Sequence, residues 1–203
     1  VPDWLDAAIL ISDESTSDNF DLAWDMDDFW VFGYGSLMWN PGFAFEERQQ
    51  ARLHGYRRSL CIWSSVYRGT EEKPGLVLGL ERGGSCLGVA FRVKGAEHEP
   101  VMAYLREREL VTNVYKERVV SIAMVDGRRS SAVTYVADPA HDQYVGGLAA
   151  PDAAAIVATA AGRSGPNTDY VFNTIQHLQD MGIRDTTLEN IAARVSGLAV
   201  QPA

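Results

Sequence analysis

Few cysteines, no long apolar run and no familiar nucleophile motif mark this 203-residue chain. Its two cysteines, Cys61 and Cys86, lie in apolar, strand-like stretches without a CxxC or a histidine-rich neighbour, which speaks against metal or redox work and predicts buried free thiols. The four histidines, His54, His98, His141 and His177, show no ligand spacing with Asp, Glu or Cys, so no metal is expected. The longest low-polarity stretch, the alanine-rich segment around Pro151 to Gly162, is too short and too weakly apolar to span a bilayer. Val1-Pro2-Asp3-Trp4 lacks both a basic region and a continuous apolar core, so no secretory signal is expected and a reducing cytoplasm is the expected location. No serine sits in G-x-S-x-G, which disfavours a Ser-His hydrolase. Gly33-Tyr34-Gly35-Ser36 lacks the third glycine of a dinucleotide fingerprint and the Gly-Lys-Ser/Thr end of a P-loop.

Positive charge is missing altogether from residues 1 to 28, which hold nine of the 27 acids and no Lys or Arg. The net charge of -9 therefore resides in that arm, and the remaining 18 acids balance the 18 Lys and Arg of the body. An acidic arm on a neutral body gives no electrostatic reason to bind nucleic acid or an anionic membrane. Two units are expected: a solvated acidic extension over 1–28 and a single domain over 29–203.

What is present is a chain of short strands with helices between and after them. Trp30-Val31-Phe32 begins as a strand and is interrupted by Gly33, Tyr34, Gly35 and Ser36 before Leu37 and Met38. Glycine within a strand pattern marks a bulge, a turn or a close approach to the backbone, and the last would make this a binding loop. A helical or irregular piece is expected through Pro41 to Gln50, then an extended stretch interrupted at Gly55. Residues 76 to 93 read as two strands around a Gly83-Gly84 turn. A helix over 100–110 follows, then strands on either side of Asp126-Gly127. Helices are expected over 152–161 and 169–181, the latter with Asn167 or Thr168 as cap, and at the end, where Thr186 and Glu189 have capping-box spacing. The order predicts an α+β fold on a small sheet or barrel.

The helix at 100–110 contains the sharpest anomaly. Val101, Met102 and Leu105 share one face, and at about 100° per residue Glu109 falls about 40° from Leu105, whereas Glu107 falls opposite. A carboxylate on the core side of a helix is costly unless paired or useful. Three readings stay open: the helix has frayed by residue 109, Glu109 pairs with Arg108 or Arg118, or it is a partly desolvated general base. Tyr170, in the first turn of its helix, either packs or delivers a hydroxyl to a pocket.

The stretches "FGYGSLMW", "HGYRRSLCIWS", "RGTEEKPGLVLGLERGGSCLGVAFRV", "YLREREL" and "SGPNTDY" resemble, in order and approximate spacing, the ChaC-like glutathione-specific gamma-glutamylcyclotransferases. The resemblance spans roughly residues 30 to 175 and implies a small mixed β-barrel with flanking helices. It implies that the loop of Tyr34, Gly35, Ser36 and Leu37 cradles a gamma-glutamyl group, and that Glu109 is the catalytic acid/base. Arg106 and Glu107 form a second Arg-Glu pair two residues before Arg108 and Glu109. Tyr170 falls in the last resembling stretch and is expected near substrate; Arg57, Arg58 and Arg68, in "GYRRSL" and "VYRGT", are candidates to meet a substrate carboxylate. The implied substrate is glutathione, with no metal or cofactor. The alternatives are a cyclotransferase for other gamma-glutamyl amino acids or amines, and a non-catalytic binding module, which the presence of Glu109 argues against.

Overall fold

The computed structural model describes residues 27–199. Five strands close a barrel in the order β1-β3-β2-β4-β5, where β1 is Phe29–Gly33, β2 Glu47–Ser64, β3 Gly75–Val93, β4 Tyr115–Met124 and β5 Arg129–Ala137. Neighbours are antiparallel except at the closing seam, where β1 runs parallel to β5. Four helices flank the barrel: α1 His98–Glu109, α2 Ala150–Thr159, α3 Asn167–Asp180 and α4 Thr186–Ala199. A two-residue pairing of Ala161–Gly162 with Gly165–Pro166 joins α2 to α3. This is the mixed barrel with flanking helices expected from the resemblance. Of the acidic extension expected over 1–28, residues 1–26 lie outside the described residues; Asp28 pairs with Arg92.

The expected hairpin at 76–93 is instead one 19-residue strand. Gly83 and Gly84 have φ of 105° and 67°, and they face Gly55 of β2, whose φ is 85°. The register shifts between His54 and Tyr56, so the three glycines form a bulge that bends the ribbon without reversing it. The piece from Pro41 to Gln50 forms no helix; β2 begins at Glu47, with Gln49 and Gln50 paired to Ala90 and Val89.

Packing follows the apolar faces. Val101, Met102 and Leu105 of α1 are buried against Phe29, Val31, Val133 and Tyr135, which fixes the rotation of that helix as its periodicity predicts. Val157 of α2, Val171 and Leu178 of α3, and Leu188, Ile191 and Val195 of α4 belong to one core cluster with Leu76, Leu78 and Leu80 of β3. Cys61 and Cys86 are buried and free. No described helix is long and apolar enough to cross a membrane.

Two helix starts differ from expectation. Neither Asn167 nor Thr168 caps α3, whose N-cap is Pro166 without a side-chain bond. The start of α4 is held by Asp185, whose Oδ1 accepts the Leu188 N–H at 3.1 Å, while Glu189 is engaged by Arg184 at 2.8 Å.

Candidate active site

The end of β1 turns sharply into a short 3₁₀ turn, Ser36–Met38. A Cβ on Gly33 would lie 3.0 Å from Leu37 Cβ and 3.2 Å from Met38 N, so the bare glycine lets the turn fold back on its strand. At Gly35 a Cβ would meet no protein atom within 4 Å, so its absence leaves backbone exposed on the open side. Met38 N–H closes the turn on Gly35 O at 2.9 Å. The N–H groups of Gly35 and Ser36 have no acceptor among the described residues.

This turn forms one wall of a cavity of about 90 Å³. Tyr34 to Leu37 line it from the loop, Val77 and Leu78 from β3, Glu109 from the end of α1, Tyr115 from the start of β4 and Tyr170 from α3. The resemblance, read residue by residue, therefore brings Tyr34, Gly35, Ser36, Leu37, Glu109 and Tyr170 together.

Glu109 is the last residue of α1, with its side chain 18% exposed. The helix holds to that point, and Glu109 both pairs with Arg108, Nε to Oε1 at 3.2 Å, and faces the cavity. Burial raises its pKa, and the Arg108 guanidinium opposes that rise. Arg118 bonds instead to the Glu117 carbonyl, and Glu107 is exposed on the outer face. Arg108 also donates to Ser36 Oγ at 2.9 Å, Asn40 O at 2.7 Å and Tyr104 Oη at 2.8 Å, so it braces the glycine turn against the helix.

The opposite wall has an uncommon construction. The first half of β3 runs past the end of β1, leaving an edge at Leu76 and Leu78 that β1 does not reach. Side chains take the place of a strand there. Asn167 accepts the Leu76 N–H at 2.6 Å and donates to Leu76 O at 2.8 Å. Tyr170 Oη accepts the Leu78 N–H at 3.1 Å, and Tyr115 Oη donates to Leu78 O at 2.7 Å. Each backbone polar group on that edge thus has a partner. Burial pushes the Tyr170 hydroxyl up to about 12 and raises those of Tyr34 and Tyr115, so all three stay protonated at neutral pH.

The arginines separate. Arg57 is half exposed and paired with buried Glu81, away from the cavity. Arg68 donates to Ser164 O at 2.5 Å and Pro166 O at 3.3 Å, and its guanidinium lies 5.4 Å from the Tyr170 ring centre; it supports the tyrosine from behind and does not line the cavity. Arg58 is buried beneath the glycine turn. Sequence reasoning missed Tyr115 and read Asn167 only as a helix cap. Tyr115 lies outside every resembling stretch and Asn167 lies inside "SGPNTDY", and each finds its partner only when β3 lies beside it.

Beyond Glu109 the cavity opens into a groove of about 380 Å³ that shares Val77, Glu109 and Tyr115 with it and continues along Trp63, Tyr67 and Val111. A separate groove of about 410 Å³ between β2 and β4, at His54, Tyr56 and Ser121, has no carboxylate in its lining, and size alone gives it no chemistry.

The family model described as "ChaC-like protein" matches residues 29–198. A glutathione-specific gamma-glutamylcyclotransferase of Escherichia coli K12 is 34% identical over 177 residues, covering 87% of this chain and 77% of that one. The human glutathione-specific gamma-glutamylcyclotransferase 1 is 31% identical over 162 residues, covering 78% of this chain and 73% of the relative. Among solved structures, a yeast gamma-glutamyl cyclotransferase specific to glutathione superposes with a TM-score of 0.75 at 22% identity, covering 84% of this chain and 96% of the other, which shows the shared fold.

Proposed function

We propose, since the chain belongs to the ChaC-like protein family, that it is a glutathione-specific gamma-glutamylcyclotransferase, cleaving glutathione to 5-oxoproline and Cys-Gly. The observation that carries this reading is a partly desolvated carboxylate, Glu109, in one small cavity with the unpaired N–H groups of the glycine turn.

The reaction is an internal displacement. The free alpha-amine of the gamma-glutamyl group attacks its own gamma-carbonyl, a five-membered ring closes, and the C–N bond to cysteine breaks. Nucleophile and electrophile belong to one molecule, so holding the bent conformer supplies much of the acceleration. Glu109 removes a proton from the alpha-ammonium so that the amine can attack, the ring nitrogen gives up a second proton as the ring closes, and both pass to the departing nitrogen, which leaves as the ammonium of Cys-Gly; one carboxylate used twice as carrier balances the step. Burial raises its pKa, which makes it a stronger base than an exposed glutamate and so favours the first of these transfers. The N–H groups of Gly35 and Ser36 face developing negative charge or the alpha-carboxylate. Tyr170 contributes a donor: its oxygen accepts from Leu78 N–H, so its own proton is available to substrate. Tyr115 contributes an acceptor, because its proton is committed to Leu78 O.

The cavity holds the gamma-glutamyl head, and the adjoining groove receives the Cys-Gly portion. Arg57 and Arg68 are not assigned substrate contacts, as both are engaged elsewhere. The expected workplace is the cytoplasm, where reduced glutathione is abundant. Incubating the protein with reduced glutathione and following 5-oxoproline and Cys-Gly by mass spectrometry tests the assignment. Equimolar release of both is expected; intact glutathione after prolonged incubation with folded protein would overturn it.

A further inference from the structure

A buried relay runs from the start of α4 to the glycine turn. Arg58 is 5% exposed and uses three donors in three directions: Nη1 to Asp185 Oδ2 at 2.9 Å, Nη2 to Leu87 O at 2.8 Å, and Nε to Tyr34 O at 2.6 Å. Asp185 spends its other oxygen on the first turn of α4, through Leu188 N–H at 3.1 Å. One carboxylate therefore both caps the last helix and fixes the guanidinium that holds the Tyr34 carbonyl.

The bond to Tyr34 O has a consequence one atom away. The Tyr34–Gly35 peptide is trans, as all described peptides are, so its C=O and N–H point in opposite directions across one rigid plane. With the oxygen drawn into the buried side by Arg58, the Gly35 N–H is turned toward the open side, where it meets no acceptor among the described residues. Glycine is the residue whose peptide turns most easily, so the orientation needs a holder. A charge-assisted bond from a guanidinium that is itself anchored at two further points is such a holder.

We infer that Arg58, set by Asp185, is a positioning residue that aims the Gly35 N–H at the bound gamma-glutamyl group. This rests on the cyclotransferase reading above, but it concerns a residue that touches no substrate. It also gives α4, which contributes no lining residue to the cavity, a part in the chemistry.

The test pairs kinetics with a probe of the amide itself. In Arg58→Lys the ammonium keeps the charge beside Asp185 but cannot reach all three acceptors, so kcat/KM for reduced glutathione is expected to fall about tenfold or more. Val195→Ala, a buried α4 change away from the relay, is the stability control and is expected to stay within a few fold. In the Glu109→Gln background, adding reduced glutathione is expected to move the Gly35 amide resonance in ¹⁵N–¹H spectra. In Arg58→Lys/Glu109→Gln that movement is expected to disappear while the remaining spectrum stays folded. Should Arg58→Lys not fold, Asp185→Asn keeps a capping side chain and is expected to lose activity more than Val195→Ala at matched thermal stability. The inference is overturned if the relay variants turn over glutathione like wild type, if Val195→Ala loses as much activity, or if Gly35 does not respond to glutathione in the single mutant. Absence of turnover by the wild-type protein would instead remove the cyclotransferase reading itself.

Discussion

Tyr115 and Tyr170 meet on a single residue, Leu78, from opposite chemical roles: one donates to its carbonyl at 2.7 Å and the other accepts from its N–H at 3.1 Å. The two hydroxyls therefore present different faces to the cavity, a free proton on Tyr170 and a free lone pair on Tyr115. Tyr170→Phe is expected to lower kcat/KM about tenfold or more and to cost about 1–3 kcal/mol of stability, because a buried N–H loses its acceptor. Tyr115→Phe is expected to reduce turnover with a smaller stability cost, since an under-satisfied carbonyl is better tolerated. Steady-state kinetics and thermal melts on the same preparations check both, and unchanged turnover in either would return that tyrosine to a bracing role.

Glu109→Gln keeps shape and removes the proton acceptor, so kcat is expected to fall by about two orders of magnitude or more. Glu107→Gln, on the exposed outer face of α1, is expected to be silent. The opposite pattern would show that the base has been assigned two residues too late.

The burial that raises the Glu109 pKa also sets a pH dependence. The carboxylate form does the work, so kcat/KM is expected to decline with falling pH along a limb centred above the ordinary glutamate value of 4.5. Replacing Arg108 by Met removes the opposing cation and is expected to move that limb to higher pH, whatever happens to the absolute rate. For stability the sign is reversed: a folded pKa above the unfolded one means that the native state binds the extra proton, so this contribution is full below 4.5 and is lost as pH rises through the raised value. Glu109→Gln is thus expected to melt no lower than wild type at pH 7, with the difference closing below pH 4.5.

Selectivity should follow the groove beyond Glu109. Contacts to Cys-Gly there can orient the scissile amide, so reduced glutathione is expected to be turned over with higher kcat/KM than gamma-glutamyl-alanine or gamma-glutamyl-lysine. The disulfide form, with twice the bulk on one sulfur, is expected to react poorly. A higher value for a simple gamma-glutamyl amino acid would leave a general cyclotransferase standing. Trp63→Ala, at the groove, is expected to narrow the preference for glutathione while sparing the simpler substrates.

The parts of this site legible in the sequence are those governed by local periodicity or by the family resemblance. The angle from Leu105 to Glu109 survives folding because α1 is anchored by that same apolar face. Gly33 is readable because only a missing side chain permits the approach of Leu37. Asn167 was misread because asparagine favours helix caps, and that preference lost to a strand edge 91 residues earlier in the chain. Gly83-Gly84 carries the positive φ values of a hairpin turn, and a bulge needs the same values. Arg57 and Arg58 are neighbours in β2, so they point to opposite faces; which of them is inside depends on the barrel and not on their own sequence.

The surrogate strand on β3 also fixes when the enzyme comes into being. Synthesis delivers the glycine turn, Glu109 and the whole barrel within the first 137 residues. At that stage Leu76 and Leu78 still lack Asn167 and Tyr170, and Arg58 lacks Asp185. The nascent chain carries its base long before it has a cavity to use it in. The cavity is complete only with the final helices in place, so the residues that do the chemistry and the residues that make it possible come from opposite ends of the domain.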